Sequence, residues 1–452
     1  MVTADSLNLD CLELIFAYLH GNDLVSIALV SRSFLAGVIP RLYRTLVFKL
    51  HHGKRFPAIM SPFAAVVAHP GLSIHVRAID IRMIPMYKGI ASPVVMNDCL
   101  CAIALCKNLG SFTCTPHILP SFLNSLQDKK CLEEIRVNAN LTTDQTEQLT
   151  RLRGLRRVIL DAGSWTVVDA LPRWTSALQT TLTDLTLYAM HDLHECILET
   201  VLSDLPNLTG LHVIGCSKVD HFSVMRLTSQ VPNLESLSFT SWESPRPLPT
   251  SLPALSRLRH LTVDTHCTLT PSATPNLWTS IIFLTRQWSC PLRSITLKLS
   301  EKLVVADTFI RDILDAHEAT LTHVALLNCG ISVEGVRLIC ARCNDLERLA
   351  VGIPVKEMPL YTWAAALQES KTLQTLCDIN DTHSTHGPRP FLARGDIRLL
   401  MNCVPTLDKI ITDERVWRRT PRRHTFGDDV DDFGVSLEPR KPAPTSHWFM
   451  PR

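Results

Sequence analysis

The sequence predicts a mixed α/β chain in which a small, all-α N-terminal module precedes an irregular solenoid of strand–helix repeats. Two observations predict it. The stretch from Leu12 to Tyr43 is strongly apolar and contains signals for three short helices. Behind it, a six-residue unit, Leu-x-x-Leu-x-Leu, recurs along most of the 452 residues. Hydrophobic residues make up 46 % of the chain and charged residues 19 %, so most of it can bury a core.

The first helix signal carries two apolar stripes instead of one. At roughly 100° per residue, one stripe has the spacing i, i+3, i+4, i+7 and contains Leu12, Ile15, Phe16 and Leu19. A second, separate stripe contains Cys11, Leu14 and Tyr18. A surface helix needs only one apolar stripe, so two stripes indicate two packing partners.

Two further short helices follow the first one. Asn22 and Asp23 can cap a helix that holds Leu24, and Ser31 can cap another that Pro40 ends or bends. Three helices in about forty residues form only a small core. One stripe can serve that core, and the stripe that is left over favours a partner protein, although both stripes could also pack on the rest of this chain.

The same segment resembles the F-box, which docks on the Skp-type adaptor of SCF ubiquitin ligases. The family pattern Leu-Pro-x-Glu-(Ile/Leu)-Leu-x-x-Ile-Phe-x-x-Leu, Asp-Leu, Val-(Cys/Ser)-Arg-x-(Phe/Trp) is matched from Leu7 to Phe34, and "PRLYRTL" resembles the end of fungal F-box modules. Asn8 replaces the usual proline, and Asn still suits a helix cap. The resemblance implies an F-box over residues 5–50 whose adaptor interface is formed or supported by Leu7, Leu12, Ile15, Phe16, Leu19, Leu24, Val30 and Phe34.

Nine strong copies of the six-residue unit follow, with first leucines 23 to 34 residues apart. They begin at Leu132, Leu155, Leu182, Leu208, Leu234, Leu258, Leu292, Leu321 and Leu346. Weaker copies begin at Val76, Leu109, Leu373 and Leu407. The alternating apolar residues that end each copy predict a short strand.

The segments between the copies have helical periodicity, as in "ECILETVLSDL" and "TFIRDILDAH". One strand and one helix cannot bury their apolar faces alone, so the units must stack. The pattern resembles leucine-rich repeats, with Cys216 and Cys329 after two of the strands. We expect a solenoid over residues 72–412, with parallel strands on the concave side, helices on the convex side and a proline-rich loop from Ser241 to Arg257.

The residues that alternate with the buried positions of each strand should line the concave face and contact a substrate protein. The candidate substrate-binding residues are Arg136, Arg157, His212, His260, His323 and Arg348. Glu134 and Asp184 lie among them, so the charges are mixed and no ligand class is indicated.

The last segment, residues 413–452, combines "RVWRRTPRRH" with "GDDVDDFG" and lacks an apolar period. This composition predicts a disordered tail whose removal changes stability by less than about 1 kcal/mol. The competing hypothesis is that Trp417 or the terminal "HWFMP" covers the end of the last repeat. The run "RRTPRR" is either a solvated charge cluster or a nuclear-localisation or nucleic-acid patch.

Other classes of function have weak support. The pairs Cys340-x-x-Cys343 and Cys99-x-Cys101 lack a second pair at zinc-finger spacing, and His191 and His194 fit capping or solvated roles better than metal ligation. No nucleophile elbow or phosphate loop occurs, so neither an enzyme nor a cofactor is predicted. The net charge of +2 gives no general attraction to nucleic acid, and no apolar run is long enough to cross a membrane. Fifteen scattered cysteines suggest reduced thiols in an intracellular protein of the cytoplasm or nucleus.

The resemblance therefore implies a substrate-recognition subunit of an SCF-type cullin-RING ubiquitin ligase, which binds the Skp-type adaptor and an unknown protein substrate. The alternative is a leucine-rich-repeat binding scaffold outside ubiquitination, in which the N-terminal helices only cap the apolar end of the array.

Overall fold

The structure, a computed structural model, describes residues 8–19, 22–242, 248, 252–266, 274–299, 304–354, 357–378, 392–412, 415–420, 434–438 and 447–451. The chain divides into two compact units, Met1–Asn207 and Leu208–Arg452. Each unit is described by itself.

The first unit begins with three short helices, α1 (Leu9–Phe16), α2 (Asn22–Ala28) and α3 (Arg32–Leu42). Ser31 begins α3 by accepting a hydrogen bond from the Phe34 amide through its side chain, as its position predicts. Pro40 lies inside α3, which continues to Leu42. The three helices share one small core, whose buried members are Leu12, Phe16, Leu24 and Val38.

The rest of the first unit alternates strands with helices. In chain order its elements are β1 (Thr45–Phe48), α4 (Leu50–Arg55), α5 (Pro62–Ala68), β2 (Ala78–Ile81), β3 (Met86–Tyr87), β4 (Ile90–Ala91), α6 (Pro93–Leu105), β5 (Ser111–Cys114), α7 (Leu123–Leu126), β6 (Glu134–Asn138), α8 (Thr143–Leu149), β7 (Arg157–Asp161), α9 (Trp165–Ala177), β8 (Asp184–Tyr188) and α10 (Glu195–Ser203).

The long strands of this unit lie in the order β1-β2-β5-β6-β7-β8, and every described pair is parallel. Parallel neighbours in sequence order require a crossover between them, which the helices supply. The sheet begins at Thr45, inside the segment assigned to the N-terminal module and before the expected start of the array at residue 72.

The second unit repeats this alternation. Its elements are β9 (Gly210–Ile214), α11 (His221–Leu227), β10 (Ser236–Trp242), β11 (His260–His266), α12 (Thr274–Gln287), β12 (Ser294–Leu299), β13 (Val304–Val305), α13 (Asp307–His317), β14 (His323–Leu327), β15 (Gly330–Ile331), α14 (Val333–Arg342), β16 (Arg348–Val351), α15 (Glu357–Leu367), β17 (Thr375–Asp378), α16 (Arg394–Cys403), β18 (Lys409–Thr412), β19 (Arg415–Thr420) and β20 (Gly434–Glu438).

The long strands of the second unit lie in the order β9-β10-β11-β12-β14-β16-β17-β18-β19-β20. The pairs from β9 to β18 are parallel. All nine strong copies of the repeat unit, and the four weaker ones, contain a strand of the two units. The six positions that best represent the buried alternation, Leu185, Leu187, Leu211, Val213, Leu237 and Phe239, are at most 2 % exposed. The predicted fold of a helical module and parallel strand–helix repeats is confirmed.

The segment after residue 413 is not disordered in its described parts, so that expectation is wrong there. Strand β19 pairs antiparallel with β18, and β20 pairs antiparallel with β19. Val416 and Trp417 are buried, and Phe449 is 1 % exposed. The reason is that the open edge of β18 supplies backbone partners that local sequence periodicity does not reveal. Trp417 therefore lies in the cap that the competing hypothesis proposed.

The basic run of this segment is also only partly solvated. The Arg418 guanidinium lies 3.3 Å from the Asp408 carboxylate. The Arg419 guanidinium donates to the carbonyl oxygens of Met401 and Val404, at the C-terminal end of α16. Arg419 thus satisfies carbonyl groups that the last turn of α16 leaves without a helical partner. Residues 421–423 of the run lie outside the described residues.

Across the described ranges, no helix has both the length and the apolarity needed to cross a membrane.

Candidate functional site

The side of α1 that contains Leu12 and Phe16 belongs to the internal core of the module. Leu12 is 1 % exposed, Phe16 is 2 % exposed, and the Phe16 ring centre lies 5.4 Å from that of Phe34. Gly37 of α3 makes this packing possible, because a Cβ atom there would lie 3.0 Å from Phe16 Cε2 and 3.1 Å from Leu12 Cβ. This stripe therefore holds α1 against α3.

Other apolar residues of α1, and Tyr18 in the turn that follows it, are exposed. Leu14 is 70 % exposed, Ile15 51 % and Tyr18 86 %. Further exposed apolar side chains follow on α2 and just after it, at Val25, Leu29 and Val30. We call these six residues the N-terminal apolar face. So many large apolar side chains on so small a module are typical of a surface that another protein covers.

The predicted adaptor-binding residues divide into two groups. Ile15 and Val30 belong to the N-terminal apolar face, whereas Leu12, Phe16 and Leu24 are buried in the core and Leu19 and Phe34 pack against it. That these residues form or support the adaptor interface stays a prediction, in which burial favours the supporting role for the core group. Leu7 lies outside the described residues. Asn8 precedes α1, as expected, but its side chain accepts no capping hydrogen bond.

Sequence reasoning missed Leu14, Tyr18, Val25 and Leu29 as exposed members. Leu14 and Tyr18 were visible as the second stripe of α1. Periodicity shows that two stripes exist, but which of them faces the core depends on the close approach of Gly37.

In the first unit, the two candidate substrate-binding arginines lie in ion pairs with neighbouring strands. The Arg136 Nε atom is 3.1 Å from the Asp161 carboxylate, and Arg157 Nη1 is 3.0 Å from the Glu134 carboxylate. Each pair links adjacent parallel strands. The two arginines therefore add no isolated positive charge to this side of the sheet.

In the second unit, three other candidates lie in one row across the sheet. The register places His260 beside Ser294, Ser294 beside His323, and His323 beside Arg348. Burial, and the repulsion between the two rings when both are protonated, lower the pKa of His260, and burial and the positive charge of Arg348 lower the pKa of His323. The row therefore favours neutral imidazoles at neutral pH, beside the permanent charge of Arg348.

The remaining candidate, His212, is 1 % exposed because the C-terminal residues cover it. Its Nδ1 atom lies 2.7 Å from Ser238 Oγ, and its ring centre lies 5.9 Å from that of Phe449. Ser238 Oγ and Thr262 Oγ1 each donate to the Phe449 carbonyl oxygen at 3.2 Å. Since Ser238 has only one proton to donate, His212 must donate from Nδ1 to Ser238.

A second contact holds the same C-terminal residues. The Lys298 ammonium lies 4.6 Å from the centre of the Trp448 ring and 3.1 Å from Asp264 Oδ1. The cation thus lies between a carboxylate and an aromatic face. His266 approaches the other Asp264 oxygen at 3.2 Å.

A cavity of about 250 Å³ adjoins this segment. Trp448 and Met450 form part of its wall, and His323 and Arg348 also line it. Its remaining lining residues are Ser294, Thr296, Val324, Ala325, Leu327, Ala350, Cys377, Asp378 and Ile411. Two of the predicted substrate-binding residues therefore lie in one pocket with the end of the chain.

Sequence reasoning missed the contacts made by Ser238, Thr262 and Lys298. One signal for them was present. The middle strand residue that alternates with the buried positions is small in five consecutive strands of the sheet, namely Ser238, Thr262, Thr296, Ala325 and Ala350. We call this row the small-residue row. Small side chains there leave a shallow groove in which another chain segment can lie.

The cysteine pairs noted in the sequence are part of the hydrophobic core. Cys340 and Cys343 are at most 2 % exposed, and burial raises the pKa of each thiol to about 12. Cys99 is buried in α6, and burial raises its pKa as well. Within the described part of the chain, no cluster of three or more histidine, cysteine or acidic side chains could hold a metal ion.

Comparison with known protein families identifies the N-terminal module. Residues 5–36 match the family described as the F-box domain. The match covers α1, α2 and the first part of α3, and thus the whole N-terminal apolar face. No curated protein sequence matches the chain.

Similar solved structures include leucine-rich-repeat proteins. An internalin from Listeria monocytogenes is 16 % identical, with 78 % of this chain and 87 % of that chain covered and a TM-score of 0.33. A leucine-rich-repeat protein from Leptospira interrogans is 13 % identical, with 77 % and 97 % covered and a TM-score of 0.29. The Rad7 and Elc1 complex of yeast is 14 % identical, with 86 % and 94 % covered and a TM-score of 0.42. The strand order and register of the chain itself define its fold.

Proposed function

We propose that this chain, which carries an F-box domain at residues 5–36 before a leucine-rich-repeat-like array, is a substrate-recognition subunit of an SCF-type ubiquitin ligase. In this proposal the N-terminal apolar face binds the Skp-type adaptor, and through it a cullin-RING ligase. The alternating side of the repeat strands binds a protein substrate.

The observation that carries the proposal is that one set of apolar side chains in the first helical segment is buried in the core and a second set is exposed. Leu12 and Phe16 already supply the internal core, so the module gains no burial from Leu14 and Tyr18. Burial releases about 25 cal/mol per Å² of apolar surface, so the exposed side chains are a large unused source of binding free energy. A docking partner explains their presence on a domain of this family.

In this role the chain performs no chemistry of its own. It holds a substrate and a ubiquitin-charged enzyme in one assembly, so a bimolecular encounter becomes effectively intramolecular. The local concentration of the substrate then depends on the geometry of the assembly and no longer on diffusion.

One observation favours the alternative, a repeat scaffold whose N-terminal helices only cap the array. Strand β1 begins three residues after α3 and pairs with β2, so the helical module continues directly into the sheet. A cap, however, requires only one apolar side on its helices. The exposed side of α1 is left unexplained by this alternative.

Co-purification of the full chain with a Skp-type adaptor tests the proposal. We expect stable binding of the unmodified chain and its loss in the double variant Leu14→Ser/Tyr18→Ser. Tyr361→Ser is the matched control, because Tyr361 is 60 % exposed on α15 in the second unit. Equal adaptor binding by the double variant and the control would contradict the proposed docking surface, and no binding by the unmodified chain would contradict the proposed function.

A further inference from the structure

We propose that the small-residue row of the second unit is a peptide-binding groove for a segment with two adjacent aromatic residues, and that the chain's own residues 447–450 occupy it as an internal ligand. This inference rests on the proposed function, because it assigns the substrate class to the side of the strands that is proposed to bind substrate.

The first step is the recognition of the peptide backbone. The Phe449 carbonyl oxygen accepts hydrogen bonds from Ser238 on β10 and from Thr262 on β11. A carbonyl oxygen has two lone pairs, so these two hydroxyl groups satisfy it fully. His212 fixes the orientation of the Ser238 hydroxyl through its own hydrogen bond. Backbone recognition of this kind does not depend on which protein supplies the peptide.

The second step is the recognition of two aromatic side chains. Phe449 is 1 % exposed and packs against His212. Its neighbour Trp448 meets it edge-on, with ring centres 5.6 Å apart, and presents its face to the Lys298 ammonium. The groove therefore provides a closed site for one ring and a cationic site for the next.

The third step is the nature of the occupant. Residues 447–450 form a turn and no strand, and His447, Trp448 and Met450 stay partly exposed. The cavity of about 250 Å³ beside them continues the groove toward β18, so an incoming peptide could extend beyond the positions that the tail occupies. An internal ligand is present at high effective concentration and weakens the binding of any external peptide. A substrate with a matching aromatic pair would thus compete with the tail.

The probe is a fluorescent peptide with the sequence of residues 446–452, SHWFMPR, and a control peptide, SHAAMPR. Binding is measured by anisotropy to the full chain and to a chain that ends at residue 445. We expect the shortened chain to remain folded and to bind SHWFMPR at least ten times more tightly than the full chain does. We expect SHAAMPR to bind at least ten times more weakly than SHWFMPR.

Two variants of the shortened chain locate the site. Ser238→Ala/Thr262→Val removes both donors to the carbonyl and should weaken peptide binding at least tenfold. Ser280→Ala, on the exposed side of α12, is the control and should leave binding unchanged. Peptide binding that is equal in the full and shortened chains, absent from the folded shortened chain, or insensitive to Ser238→Ala/Thr262→Val would overturn the inference.

The remaining outcomes are also decisive. A shortened chain that does not fold would overturn the inference, because residues 447–450 would then be part of the core and not an exchangeable ligand. Adaptor binding is measured in parallel on the same proteins. Loss of peptide binding with intact adaptor binding refutes only the groove, whereas absence of adaptor binding with intact peptide binding refutes only the proposed ligase role.

Discussion

The two sides of α1 should respond in opposite ways to truncation of an aromatic side chain. Phe16→Ala removes a ring that is 2 % exposed and packs against Phe34 and Gly37. Such substitutions cost about 3–5 kcal/mol in protein cores. The buried core of the module contains four of its described residues, so we expect α1 to detach from α3.

Tyr18→Ala removes a ring that is 86 % exposed, so the change in folding free energy should stay within about 0.5 kcal/mol. Its effect should appear in adaptor binding instead. A large aromatic side chain at the centre of an interface contributes about 2 kcal/mol or more, which corresponds to roughly a 30-fold loss of affinity.

Hydrogen exchange of the full chain reports on the helices, and calorimetric titration with the Skp-type adaptor reports on binding. Phe16→Ala should lose amide protection in α1 and α3 together with adaptor binding. Tyr18→Ala should keep the protection and lose only binding. Normal protection in Phe16→Ala, or normal adaptor affinity in Tyr18→Ala, would refute the division of α1 into a core side and a docking side.

Three further predictions concern stability. Gly37→Ala places a methyl group 3.0 Å from Phe16 Cε2, and this overpacking should lower the folding stability of the module by about 1–3 kcal/mol. The loss should appear as reduced amide protection of α1 in hydrogen exchange, and full protection would contradict the prediction. Burial lowers the pKa of His317 to about 4, so the unfolded state binds more protons below about pH 6.5 and stability falls as the pH falls. Urea titrations at pH 7 and pH 5 measure the free energy of unfolding of the second unit in the unmodified chain and in His317→Asn. Between these two pH values it should fall by roughly 2 kcal/mol more in the unmodified chain than in the variant, and equal falls would refute this. Truncation after Thr412 removes the buried Trp417 and exposes the edge of β18. The midpoint temperature of thermal unfolding should therefore fall and aggregation should rise. An unchanged midpoint would support the disordered-tail interpretation instead.

The strands of the array were predictable because each one carries its own signal. A leucine-rich unit with alternating apolar residues predicts a strand with one buried side. The recurrence of the unit predicts that the strands stack, and neither signal depends on contacts with distant parts of the chain. Leu237 and Phe239 are fully buried for this reason.

The end of the chain was not predictable from such signals. Val416 and Phe449 lie in segments without any period, and each is buried by a surface that other parts of the chain create. The edge of β18 covers the first, and the side chains of β9 to β11 cover the second. A local pattern does not reveal a strand edge that needs covering, nor contacts such as those of Phe449 with Thr262 and Ser238, which lie 187 and 211 residues earlier in the chain.

The candidate sites were predictable in outline only. The double stripe of α1 indicated a docking surface, but the close contact of Gly37 decides which stripe is free. Likewise, His323 and Arg348 were identified as lining residues, whereas their cavity depends on Trp448 and Met450.

The most direct test of the docking surface uses Cys11, which is exposed on α1 in the same apolar stripe of the sequence as Leu14 and Tyr18. Cys131 and Cys196 are exposed elsewhere in the first unit and serve as internal controls. The alkylation rates of the three thiols are measured by mass spectrometry with and without saturating Skp-type adaptor. The account predicts at least tenfold slower alkylation of Cys11 in the complex and unchanged rates at the two controls; an unchanged rate at Cys11 in a demonstrated complex would contradict it.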